Sequence, residues 1–171
     1  MSWVKGGGSR RQVGPVIKPL VYLLALEHPD SYNLLTRIED APIPLRQPDG
    51  STWSPDNFDK VSHGRVSLLE ALTLSYNQAT VRLGLEVGVN SMVSRIAQLG
   101  VNADVDPVPS VFLGAVELTP LEVTQVYQSL ANGGFSVPLR SVIAVQTSGG
   151  DELVRYPMRL LPQSHREAIG V

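Results

Sequence analysis

Cysteine is absent from the 171 residues. No disulfide framework and no thiolate metal site is possible, and the absence fits cytoplasm and bacterial periplasm equally well. Positive charge is scarce too: 14 Lys and Arg stand against 16 Asp and Glu, a net charge of −2. Nucleic-acid-binding domains are usually clearly basic, so no nucleic-acid partner is expected. Three histidines, His28, His63 and His165, lie far apart without metal-ligand spacing, and neither a metal nor another cofactor is expected. Long apolar runs are missing. The longest, 19–26, falls well short of the ~20 residues of a membrane span, and residues 1–12 carry basic residues without the apolar centre of an export signal. The expectation is a soluble chain without a signal or membrane segment.

What is present is ordinary for one folded domain: 43% hydrophobic and 18% charged residues, in a chain long enough to bury a core. Residues 1–9, with Gly6, Gly7, Gly8 and Ser9, read as a flexible lead-in. Gly14-Pro15 predicts a helix start, because a proline there gives up an N–H that has no partner anyway. Val16, Ile17, Leu20, Val21, Leu24 and Ala25 carry the apolar spacing to about Leu26. Residues 31–38 read as a weak helix or turn. Residues 40–64 read as a long irregular stretch with Pro42, Pro44 and Pro48, pinned down by Trp53 and Phe58. Helices are expected over 66–74, 78–87 and 89–99, the last capped by Asn90 and stopped by Gly100. Thr119-Pro120-Leu121-Glu122 combines an N-cap, a first-turn proline and a capping-box glutamate. That helix runs to Ala131 and stops at Asn132-Gly133-Gly134. Segments 140–146 and 152–156, around Ser148-Gly149-Gly150-Asp151, predict a β-hairpin, and Ser164 would cap a last short helix. The expected fold class is mainly α with one β-hairpin.

The chain is organised around residues 72–80, LTLSYNQAT. Ser75 and Asn77, a hydroxyl and a carboxamide two apart at the junction of two apolar helices, are placed to point into one cleft. Lys18 is the odd residue on its apolar helix face. On pattern alone it snorkels to solvent. Taken with Ser75 and Asn77, it completes the supporting cast of serine acyl transfer: an amine base, a hydroxyl to shuttle the proton and an amide to hold the substrate. Each piece alone is weak, since S-x-N is common and serves equally well as a helix cap.

The local words say more. Residues 11–19, RQVGPVIKP, resemble the RxxGSxxKP segment of penicillin-binding proteins. Ala41-Pro42-Ile43 with Trp53-Ser54-Pro55-Asp56-Asn57 resembles their DAPI…WSPxN loop, and Ser75-Tyr76-Asn77 resembles their S-x-N motif. Residues 113–114, 118–123 and 131–134 resemble the helices that follow. Order and spacing agree over about 10–170, and the chain resembles the bifunctional class A members. The resemblance implies a transpeptidase domain pairing a helical part with a five-stranded antiparallel sheet. It implies a serine that attacks the D-Ala-D-Ala end of a peptidoglycan stem peptide and is trapped by β-lactams. In S-x-x-K the serine meets the positive helix end and the lysine, one turn on, activates it; S-x-N and a K-T-G strand form the other walls. Family members are anchored in the inner membrane with a periplasmic catalytic domain, and class A members are also glycosyltransferases.

This sequence departs from the pattern in two places. Pro15 occupies the nucleophile position, and no K-T-G occurs: the lysines are Lys5, Lys18 and Lys60. Ser9 lies six residues before Pro15, outside the helix. On the resemblance, residues 10–171 are a partial transpeptidase domain, with the five-stranded sheet, the anchor and the glycosyltransferase domain largely missing. The expected site is Lys18, Ser75 and Asn77 around Pro15, inactive in transpeptidation, with stem peptide and β-lactams as the family's ligands. Helices deprived of their sheet would expose an apolar face and self-associate. The alternative is a non-catalytic helical interaction module derived from the same domain.

Overall fold

The structure, a computed structural model, describes residues 9–47, 49–101 and 103–157. Strand β1 (Arg11–Gln12) leads through a 3-10 turn (Gly14–Ile17) straight into helix α1 (Lys18–Leu26). Strands β2 (Arg37–Asp40), β3 (Leu45–Arg46), β4 (Thr52–Trp53) and β5 (Gly64–Ser67) follow. Then come helices α2 (Leu68–Thr73), α3 (Asn77–Val87) and α4 (Val89–Gln98), and a second 3-10 turn (Pro109–Leu113). Strand β6 (Glu117–Leu118), helix α5 (Pro120–Ala131) and the hairpin strands β7 (Ala144–Gln146) and β8 (Glu152–Arg155) complete the described chain.

Helix α1 is the hub, because it is apolar nearly all round and must be enclosed. Leu20, Val21, Tyr22 and Ala25 are all buried, with α2, α3, α4 and the second 3-10 turn packed about them. Ala79, Val81 and Leu83 of α3, Met92 and Ile96 of α4, and Phe112 close the core. Gly84 makes the closest of these approaches possible: a Cβ there would lie 2.4 Å from Cγ of the Phe112 ring. Helix α5 opens with the reciprocal cap its sequence announces. Thr119 Oγ1 accepts from the Glu122 N–H at 3.2 Å, and Glu122 Oε2 accepts from the Thr119 N–H at 2.8 Å.

The expectation of a mainly α chain with one hairpin, the five-stranded sheet largely missing, needs correction. Of the described residues 39% are helical and 16% strand, and the strands form four antiparallel pairs: β1–β6, β2–β5, β3–β4 and β7–β8. The chain is α+β, with short ribbons framing the helices. Three of these pairs escape sequence reading for a physical reason. Their strands run two to four residues, too short for a period-2 pattern, and β1 finds its partner far along the chain, Arg11 facing Leu118.

Residues 31–38, read as weak helix or turn, are turns followed by the start of β2. Phe58 pins nothing, being 99% exposed, whereas Trp53 packs against the core. Helix α4 starts from Gly88 without a side-chain cap, so Asn90 lies within it. The lead-in over 1–8 and the helix expected after Ser164 lie outside the described residues.

Candidate active site

The site begins where two glycines cross. Gly14, at φ +58°, donates its N–H to the Gly114 carbonyl at 3.2 Å, and Gly114 stands at φ +85°. A Cβ at Gly114 would fall 2.1 Å from the Gly14 carbonyl oxygen, so both the left-handed backbone and the close approach require glycine. Beside it the Val13 N–H reaches the Val116 carbonyl at 3.1 Å. Together these fix the entry to the helix. The 3-10 turn then closes with the Lys18 N–H on the Pro15 carbonyl. In a 3-10 turn side chains i and i+3 eclipse, so Pro15 and Lys18 share one face, with Pro15 exposed and Lys18 beneath it.

Lys18 does not snorkel to solvent: it is 2% exposed. Its Nζ donates to Ser75 Oγ at 2.9 Å, to the Ser75 carbonyl at 2.6 Å and to Asn77 Oδ1 at 2.7 Å. Three acceptors match the three protons of an ammonium, which is how the cation is tolerated out of water. Burial nonetheless lowers its pKa to about 8, opposed by the negative charge of Asp40.

Ser75 sits between α2 and α3 at φ +59°, a left-handed conformation uncommon outside glycine, Asn and Asp. The Ser75 N–H bonds the Leu72 carbonyl at 3.1 Å and the Tyr76 N–H bonds the Ala71 carbonyl at 2.9 Å, a tight reversal that ends one helix and starts the next. Its outcome is an exposed serine whose Oγ faces the buried amine.

Asn77 is held from behind. Its Nδ2 donates to the Asp56 carbonyl at 2.7 Å, which leaves Oδ1 for Lys18, and its N–H bonds Asn57 Oδ1 at 2.7 Å. Asn57, itself buried, also accepts from the Gln78 N–H at 3.2 Å and donates to Asp40 Oδ2 at 2.6 Å and to the Val61 carbonyl at 2.8 Å. Asp40 is wholly buried and accepts from the Ala79 N–H at 3.0 Å and the His63 N–H at 2.9 Å, with His63 Nδ1 at 2.8 Å. A carboxylate on the Ala79 N–H, in the first turn of α3, also meets the positive end of the helix. His63 stacks on the Tyr76 ring, centroids 4.0 Å apart, and its Nε2 lies 3.0 Å from Asp59 Oδ2. Its hydrogen bond to Asp40 raises the pKa of the imidazole above its ordinary value.

The structure therefore brings Lys18, Ser75 and Asn77 within hydrogen-bond distance of one another and sets Pro15 one turn before Lys18. Asp40, Asn57 and His63, which position Asn77 and α3, were missed as site residues. Asn57 had a signal as the final letter of Trp53-Ser54-Pro55-Asp56-Asn57, and Asp40 as the residue that completes the DAPI match with Ala41-Pro42-Ile43; His63 is a single polar residue without one. Among the described residues no group of three or more His, Cys, Asp or Glu side chains is placed to hold a metal.

A buried lysine aimed at a serine hydroxyl, one turn after a helix start and backed by an asparagine, defines the class, and comparison places the chain within it. Residues 9–159 match the penicillin-binding protein transpeptidase domain, and the chain belongs to that family. It is 49% identical over 161 residues to penicillin-binding protein 1B of Escherichia coli, covering 92% of this chain and 19% of that protein. It is 45% identical over 144 residues to penicillin-binding protein 1B of Vibrio cholerae, covering 84% of this chain and 18% of that protein. The chain thus spans about a fifth of the length of these relatives. Among solved structures, penicillin-binding protein 1A from Haemophilus influenzae superimposes with a TM-score of 0.79 at 26% identity, over 91% of this chain and 23% of that one. Penicillin-binding protein A from M. tuberculosis, as an imipenem acyl-enzyme complex, gives 0.74 at 21% identity over 96% and 41%, which shows a shared fold. Among the described residues no helix is long and apolar enough to cross a membrane.

Proposed function

We propose that residues 10–171 form part of a peptidoglycan D,D-transpeptidase domain, with 1–9 as its lead-in, in which Lys18, Ser75 and Asn77 are the surviving members of the acyl-transfer centre and the chain itself does not catalyse transpeptidation. One observation carries this reading: the Lys18 amine is bound to Ser75 and Asn77, while the residue one 3-10 turn before it, where the family has its serine, is Pro15. A pyrrolidine ring has no hydroxyl to acylate. Loss of the nucleophile in a serine acyl-transfer site costs on the order of 10⁶ in kcat. Proline is compatible with that backbone, so the helix and its lysine persist without the reacting atom. A cell-wall stem peptide and β-lactams are the ligands this cleft would hold, in the periplasm, without covalent capture at position 15.

The test is incubation of the chain with a fluorescent penicillin at neutral pH, followed by boiling and a denaturing gel. No labelled band is expected, and a boiling-stable band overturns the reading. A second reading, an interaction module, draws on the hairpin. Ile143, Leu153, Val154 and Tyr156 are each about half exposed, and such an apolar ribbon favours self-association. Light scattering that finds a clean monomer at high concentration removes self-association through that ribbon.

A further inference from the structure

With no hydroxyl at position 15, the serine that does face the buried amine is Ser75. Its backbone stands at φ +59°, the residue is exposed, and its Oγ lies 2.9 Å from Lys18 Nζ. A serine on a strained reversal is one recurring way of holding a nucleophile, and a serine–lysine pair is one recurring way of activating it. The three contacts of the amine differ in chemistry. The two shorter ones, 2.6 and 2.7 Å, run to the Ser75 carbonyl and to Asn77 Oδ1, neither of which donates a hydrogen bond; the longest runs to the hydroxyl. When Nζ loses one proton, the remaining two stay with the carbonyl and the carboxamide, and the lone pair turns to Ser75 Oγ. A neutral amine in this cleft would thus face Ser75 Oγ in the orientation of a base.

We propose that Ser75 and Lys18 form a serine–lysine dyad through which this chain accepts acyl groups from activated esters. In the step, Ser75 Oγ attacks the ester carbonyl carbon and the neutral Lys18 amine takes the hydroxyl proton. The bond from that carbon to the leaving phenol oxygen breaks, and the proton passes from Lys18 to the phenolate. Acyl-Ser75 and free phenol are the products, with no redox change. The geometry also sets the limit of this reactivity. The first-turn N–H groups of α3, from Asn77, Gln78 and Ala79, are taken by Asn57 and Asp40. They are not available to a developing oxyanion, and a single oxyanion donor is worth about 10²–10³ in rate. Only esters with a good leaving group are therefore expected to react.

The experiment treats the full chain with p-nitrophenyl acetate across a pH series and reads acetyl incorporation by intact mass and peptide mapping. The expected result is a hydroxylamine-labile acetyl ester on Ser75, absent in Ser75→Ala, forming with an apparent pKa near 8, the value to which burial lowers Lys18. Lys18→Arg keeps the cation and should slow Ser75 acetylation at least tenfold and abolish that pH step. Circular dichroism of each variant verifies that it is folded, and Ser75→Ala, which removes a single oxygen, keeps the comparison available if Lys18→Arg unfolds. Acetyl found only as hydroxylamine-resistant amides on lysines or the amino terminus overturns the dyad, as does a Ser75 rate indifferent to Lys18→Arg. The donor differs from the penicillin used above. An acetyl-Ser75 adduct without a penicillin adduct leaves both readings standing, whereas a penicillin adduct refutes only the inactive transpeptidase.

Discussion

Replacing Lys18 by methionine tests the energetic account of the site through its dependence on pH. The amine is 2% exposed and its pKa falls from 10.5 to about 8 because burial disfavours the ammonium. Below pH 8 both folded and unfolded chains hold the proton, and folding bears the whole cost of burying it. Between the folded and unfolded values the unfolded chain binds more protons, so stability rises with pH. Each pH unit crossed in that interval adds roughly 1.36 kcal/mol, which sets an upper bound of about 2 kcal/mol for the gain of the wild type over Lys18→Met between about pH 7 and about pH 9.5. Ser75 beside the amine is exposed, so water screens the cluster, and ~1 kcal/mol is the expected gain. Urea melts of both proteins at the two pH values give the measurement. Tyr22, whose phenol is pushed up to about 12 by burial, is common to both and cancels. Stability curves that stay parallel across this range would refute the claim that a desolvated ammonium sits at the cleft.

Asp40→Asn should destabilise the fold by about 2–4 kcal/mol, since a buried carboxylate serving two backbone N–H groups and two side chains loses its charge; thermal melts read the loss. In the same variant the His63 ring should titrate lower by NMR, because its bond to Asp40 is the first cause of its raised pKa. The sign for His63 follows: the stability its pairing adds is complete below its ordinary value near 6.5 and fades as pH rises through the raised one, and His63→Gln should flatten that fall. Gly84→Ala drives a methyl into the Phe112 ring, 2.4 Å from Cγ. It should cost about 1–3 kcal/mol in urea, part of it recovered when Phe112→Leu is added.

The sequence was most legible where one local rule decides the outcome. Thr119 and Glu122 cap α5 because four consecutive residues contain the whole device, and Gly100 and Gly133 close helices with the positive φ their type permits. Lys18 was conspicuous as the wrong residue on an apolar face, but its burial was not legible: pattern says snorkel, and only the arrival of Ser75 and Asn77 from almost sixty residues away supplies its partners. The ribbons, and the way Asp40, Asn57 and His63 come together, were hidden for the same reason. Strand β2 turns Asp40 inward through its pairing with β5, and nothing within the segment's own neighbourhood requires that. Motif resemblance reached Pro15, Lys18, Ser75 and Asn77 because it carries tertiary information that propensity lacks.

The antiparallel seam between β1 and β6 has a consequence for how the molecule comes into being. Arg11 cannot find Leu118, nor Gly14 meet Gly114, until more than a hundred residues have left the ribosome. Closing so large a loop is slow. The lysine-bearing helix can pack against α2, α3 and α4 as soon as they emerge, but the backbone that leads into it stays open until β6 arrives, so the entry to the helix is locked after the helix itself.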